Sequence, residues 1–141
     1  MNRTEYAAGL TLAGLVPLLM GGCPLLPRST VVEFANDAVA PVRVTLVYHD
    51  QQEIPEDVID ELGREVEIDV DPGEVRVISR SCDDLQAVLV RAELRLLGDI
   101  GPEESAGVYR DGDDFGCGDT LRFTFTDDDL GTDLQIAFDV R

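Results

Sequence analysis

The densest set of polar side chains in the chain is Asp111-Gly112-Asp113-Asp114-Phe115-Gly116-Cys117-Gly118-Asp119. Aspartates spaced by two, separated by flexible glycines, are the raw material of a calcium loop, because calcium takes six to eight oxygen ligands. Asp111, Asp113, Asp114 and Asp119 are the candidate ligands, with Asp127, Asp128 or Asp129 as further oxygen donors. The helix–loop–helix calcium pattern does not fit. Counted from Asp111, the fifth position is Phe115, and the twelfth, where a bidentate Glu belongs, is Arg122. The competing reading is a solvated turn held by Cys117. Asp83 and Asp84 follow Cys82, so a Cys82–Cys117 bridge would bring a second acidic pair to the same loop.

Nucleophilic and acid–base chemistry finds less to work with. His49, the chain's one histidine, stands beside Asp50 at the end of a strand pattern and reads as a surface residue. No serine sits in a nucleophile elbow, and there is no lysine to act as nucleophile or Schiff base. Carboxylates are so numerous that no pair of them singles itself out as a glycosidase acid and base. The glycines near Gly116 have no cation beside them, unlike a phosphate-binding loop. No catalytic residue is assigned.

The N-terminus carries the most specific signal. Arg3 is followed by the uncharged stretch Tyr6–Met20, then by Met20-Gly21-Gly22-Cys23. Ala7–Met20 is shorter than the roughly 20 apolar residues that a membrane-spanning helix needs, but it suits the apolar region of a signal peptide. The segment resembles a bacterial lipoprotein signal peptide ending in a lipobox. Met20 stands where leucine is commoner, and Glu5 weakens the positive start. The resemblance implies that residues 1–22 are removed and that Cys23 becomes the first mature residue, its thiol carrying a diacylglycerol. Two acyl chains anchor stably where one binds marginally. Pro24 follows Cys23, where an aspartate would have implied retention at the inner membrane; this tilts the address towards the outer membrane, facing the periplasm or the cell surface. The body of the chain resembles small acidic bacterial lipoproteins of unassigned function, a likeness that implies no activity.

Composition narrows the partners. The 29 acidic residues outnumber the 11 arginines, giving a net charge of −18. Removing residues 1–22 takes away Arg3 and Glu5, one charge of each sign, so the excess persists. Such a surface cannot neutralise a run of phosphates, which argues against nucleic acid, and it is repelled by anionic lipid heads. With Cys23 assigned to lipid, the three cysteines leave one pair, Cys82 and Cys117, which in an oxidising compartment reads as a disulfide. A zinc site would need more ligands than two cysteines and one histidine supply.

The elements that must position these groups are mostly strands. Residues 23–29 form a proline-containing tether, and 30–141 a single domain. Period-2 alternation marks strands at Val32–Phe34, Val42–Tyr48, Glu65–Asp71, Ala87–Leu97, Leu121–Thr126 and Leu134–Val140, with a short one at Val108–Arg110. Asp71-Pro72-Gly73-Glu74 is a tight turn, and Val75 and Val77 then begin a return strand, predicting a hairpin. Pro55 to Gly63 reads as one short helix with Val58, Ile59 and Leu62 on one face. Seven or eight strands and one short helix predict an all-β, two-sheet antiparallel β-sandwich, immunoglobulin-like in outline, with a small barrel as the alternative. The function expected is a non-enzymatic, lipid-anchored envelope module that touches the membrane through Cys23 and another envelope protein through its body. A calcium-binding module is the alternative, and a small hydrolase the least supported.

Overall fold

The computed structural model describes residues 28–97, 100–128 and 130–141. The signal segment, the lipidation site Cys23 and Asp129 lie outside the described residues, as does the tether up to residue 27.

The described residues form nine strands and one helix: β1 Ser29–Asn36, β2 Val42–His49, α1 Glu56–Leu62, β3 Arg64–Val70, β4 Val75–Ser81, β5 Ala87–Leu94, β6 Glu103–Ser105, β7 Tyr109–Arg110, β8 Thr120–Asp127 and β9 Leu134–Val140. They form two sheets, in the orders β4-β1-β8-β9 and β3-β2-β5-β6, with β7 also pairing with β5. This is the predicted all-β sandwich, with β5 central as its long apolar run implied. One pairing departs from the antiparallel expectation: β1 runs parallel to β8, Val32 beside Leu121 and Phe34 beside Phe123.

The core lies between the sheets. Phe34, Phe123 and Phe125 are fully buried. Tyr109 stacks on Phe138 with ring centroids 3.7 Å apart, and Phe138 lies 5.1 Å from Phe123. Valines and leucines of β2 and β5 meet this aromatic layer from the second sheet. Burial raises the Tyr109 hydroxyl pKa above the ordinary tyrosine value.

The expected hairpin at 71–74 does not form, although the turn does. The Glu74 N–H donates to the Asp71 carbonyl at 2.9 Å, and Gly73 has φ +75°, a conformation that suits glycine. Yet β3 pairs with β2 and β4 pairs with β1, so the turn carries the chain from one sheet to the other. The register of β4 against β1 then turns Arg76, Ile78 and Arg80 to the inner side and leaves Val75 and Val77 exposed on the outer face. Asn36, fully buried at the end of β1, fixes this crossing. Its Nδ2 donates to the carbonyls of Ala40 (2.9 Å) and Val70 (2.8 Å), and its Oδ1 accepts from the Ala38 N–H (2.9 Å). Its backbone joins the turn itself, through Asn36 N–H to Glu74 O and Gly73 N–H to Asn36 O.

The helix also differs from expectation in part. Ile59 is buried and Val58 half-buried, but Leu62 is exposed. The buried side packs on Val47, Ala87 and Leu89, on the outer face of the second sheet, making a second small core. Leu89, on the outer face of β5, is buried by this helix. Gly63 follows the helix because a side chain there has no room: a Cβ would lie 2.4 Å from Val47 Cγ1 and 2.5 Å from the Ile59 carbonyl.

Candidate functional site

The sandwich has two ends, and they differ in chemistry. At the end where β1 begins, the Cys82–Cys117 disulfide forms as expected, with S–S 2.04 Å. It joins the β4–β5 connection to the aspartate-rich loop before β8. Cys82 is buried, with Thr30 Oγ1 3.6 Å from its Sγ, and the Gln86 amide donates to its carbonyl at 2.6 Å. Arg28, Asp83, Asp111 and the bridge line a cleft of about 390 Å³. Asp84 turns away from Asp83: it accepts from Ser81 Oγ at 2.9 Å and from Arg64 Nη1 at 3.2 Å. The Ser81 hydrogen bond, followed by the charge of Arg64, holds its carboxyl below the usual aspartate pKa, and Asp84 in turn raises Arg64. Arg64 and Arg80 both lie over the Tyr48 ring, 5.9 and 5.6 Å from its centroid, and Arg80 Nε donates to the Tyr48 hydroxyl at 3.3 Å. Such contacts stabilise by about 0.5–1 kcal/mol when exposed.

The four candidate calcium ligands are not drawn to one point. Asp114 Oδ2 accepts from the Arg110 N–H at 2.8 Å, and Asp119 Oδ2 from the Gly116 N–H at 2.7 Å. Asp113 is exposed, and Asp111 pairs in an isolated bridge with Phe115, which is buried and anchors the loop. Among the described residues no three His, Cys, Asp or Glu side chains gather as metal ligands would. The aspartates shape the loop by satisfying backbone donors, as turn aspartates commonly do. Asp119→Ala or Asp114→Ala is therefore expected to lower stability by about 1 kcal/mol, equally with calcium and with a chelator. Thermal melts under both conditions check this; a loss seen only with calcium present would show that the loop closes around the cation.

His49 accepts from the Gln51 N–H through Nδ1 at 3.1 Å, with Asp50 Oδ1 3.2 Å from the same nitrogen. These contacts organise the loop after β2.

The outer face of the second sheet carries a hollow of about 600 Å³, lined among others by Arg43, Thr45, Glu67, Arg91, Glu93 and Glu103. Its arginines are already engaged. Arg43 Nε lies 3.2 Å from both Asp69 and Glu67, and Arg91 reaches Asp60 of α1 at 2.7 Å and Glu65 at 2.8 Å. The Asp69 hydrogen bond raises the Arg43 pKa before any other influence. Alternation in β3 puts Glu65, Glu67 and Asp69 on one face, and the β2–β3 and β2–β5 registers bring Arg43 and Arg91 to them.

At the opposite end lie the 71–74 turn and three longer connections, described at residues 37–41, at 95–97 with 100–102, and at 128 with 130–133. Arg95 N–H donates to the Pro41 carbonyl at 2.7 Å, and Val39 N–H to Asp127 Oδ1 at 3.3 Å. Gly131 has φ +65°, a conformation that suits glycine. These connections hold Val39, Leu97, Ile100 and Leu130 out to solvent, 69, 100, 79 and 82% exposed. Asp37, Asp71, Asp128 and Asp133 lie on the connections at this same end. Asp128 accepts from Thr132 Oγ1 and from the N–H groups of Thr132 and Asp133, and the Thr132 hydroxyl contributes most to lowering its pKa. The sequence offers Asp127 and Asp128 here as further calcium donors, but they lie at the opposite end of β8 from the Asp111–Asp119 loop. The only signal of the apolar group was large apolar residues inside turn segments, where polar ones are usual.

No family model matches the chain, and no curated protein matches it. Among solved structures, the T6SS lipoprotein TssJ1 from Pseudomonas aeruginosa is similar at 17% identity and TM-score 0.46, over 82% of this chain and 98% of that one. Lip from Serratia marcescens, a membrane-bound component of the Type VI Secretion System, is similar at 13% identity and TM-score 0.44, over 79% and 98%. Suilysin, a cytotoxin from Streptococcus suis, shows 8% identity and TM-score 0.42, over 81% of this chain and 23% of the cytotoxin. At these levels the likenesses identify neither a family nor an activity.

Proposed function

We propose that the protein is a lipoprotein of the bacterial envelope, anchored through a diacylglycerol on Cys23, and that it works by binding another envelope protein rather than by catalysis. The observation that carries this reading is the polarity of the sandwich. Arg28 and the start of β1 lie at one end, beside the disulfide, and the four most exposed of the large apolar side chains, Val39, Leu97, Ile100 and Leu130, stand at the other. A domain tethered at one pole presents the other to what lies beyond the membrane surface. The short proline-containing tether fits this, since proline-rich linkers extend and stiffen. Pro24 rather than aspartate after Cys23 favours the outer membrane.

Cys23→Ser tests the anchor. The wild-type protein is expected in the membrane fraction, released by detergent but not by salt. The variant is expected in the soluble periplasmic fraction with an unchanged melting temperature, because Cys23 lies before the domain. A variant that stays with the membrane would remove lipid as the tether.

A further inference from the structure

We propose that Val39, Leu97, Ile100 and Leu130 form one docking tip for a protein whose contact face is an apolar pocket rimmed by arginine or lysine. The inference rests on the interaction-module reading above and names the surface and the chemistry of its partner.

Three features point to it. First, the four most exposed of the seven exposed large apolar side chains among the described residues stand on three connections at one end of the sandwich, ahead of Leu62, Val75 and Val77. Scattered exposed apolar residues are ordinary, whereas a group of them marks a contact surface. Second, the connections are tied to one another and to the strands by Arg95 N–H to Pro41 O, Val39 N–H to Asp127 Oδ1 and Asp37 N–H to Phe125 O. A surface held in place loses less conformational freedom on binding. Third, the connections at this end carry Asp37, Asp71, Asp128 and Asp133, in a protein of net charge −18. That charge chooses among occupants. An anionic lipid surface would repel it, and a second copy would bring the same charges tip to tip. A basic rim around an apolar pocket complements both features, with the aliphatic side chains supplying affinity and the charges orientation and rate.

The test uses the full lipidated protein in intact cells. The photoreactive residue p-benzoylphenylalanine is placed at Leu97 or Leu130 on the tip, and at Val77 or Gln135 on the outer face of the first sheet. The expected result is a single protein adduct from both tip positions and none from the other two. The adduct partner, identified by mass and purified, is expected to bind Leu97→Asp and Leu130→Asp at least about tenfold more weakly than wild type, and to bind wild type more weakly as salt rises. Melting temperatures of both variants should stay at the wild-type value, since the side chains are exposed. Tip adducts with phospholipid or with a second copy would overturn the proposal, as would binding unaffected by salt. Adducts confined to Val77 or Gln135 would overturn the tip while leaving an interaction module; adducts at none of the four positions would remove both.

Discussion

Asn36→Ala is expected to destabilise the sandwich by about 3–5 kcal/mol. The side chain is fully buried and makes three hydrogen bonds, to Ala40 O, Val70 O and Ala38 N–H. Truncation leaves those groups without this partner, and each buried unsatisfied group costs about 1–3 kcal/mol; the two carbonyls fall at the low end of that range because they retain a second lone pair. Asn36→Asp separates hydrogen bonding from packing. The carboxylate keeps the shape and the acceptor but loses both donors, and it faces two carbonyl oxygens in a fully buried position. Its folded-state pKa is pushed up, so the ionised form is the destabilised one. A group whose folded pKa lies above its unfolded value stabilises at low pH, and that contribution is lost as pH rises. The deficit of Asn36→Asp relative to wild type should therefore be smaller near pH 4 than near pH 7, whereas that of Asn36→Ala should not follow pH. Urea unfolding at the two pH values measures both. A deficit below about 1 kcal/mol for Asn36→Ala would mean that the sheet crossing is held elsewhere.

Opening the Cys82–Cys117 bridge should cost as much by a different route. The bridge closes a loop of sequence separation 35; in the chain-entropy account this contributes about 3–4 kcal/mol by restricting the unfolded chain. The paired Cys82→Ala, Cys117→Ala variant is expected to unfold at lower urea with a larger m-value, because its unfolded state is less compact. The loop should loosen locally first, since Asp114 and Asp119 satisfy only its own backbone. Hydrogen exchange at 111–119 is expected to rise well above that of β1 and β5. Equal protection in the two proteins would show that Phe115 burial, not the bridge, holds the loop.

Much of this architecture is legible in the residues, and the exceptions have physical causes. Alternation at Val42–Tyr48, Leu121–Thr126 and Leu134–Val140 marks β2, β8 and β9 because one face of each is buried. β6 is missed because Glu103–Ser105 is exposed throughout, so no period can appear. The turn at Asp71–Glu74 is legible, but a turn sequence fixes only the local reversal. Which sheet receives the next strand depends on Asn36, 34 residues upstream of its acceptor Val70. The parallel β1–β8 pair is non-local in the same way. Val47 and Leu89, apolar at outward positions, were the signal that an element covers that face, and α1 does so. The candidate site divides similarly. Two cysteines left after Cys23 point to the bridge, and the structure forms it. The spacing of Asp111, Asp113, Asp114 and Asp119 suggests ligands, but spacing cannot show that the carboxylates of Asp114 and Asp119 turn to the backbone. The apolar tip is spread over three connections far apart in sequence, and only the fold brings them to one end.

The central claim is a sandwich tethered by lipid at one pole so that the other is presented to a partner. Mass spectrometry of the N-terminal peptide of the mature protein tests it most directly. The account expects Cys23 as the first residue, carrying a diacylglycerol on its thiol. A mature protein that begins elsewhere, or a Cys23 with a free thiol, would contradict it.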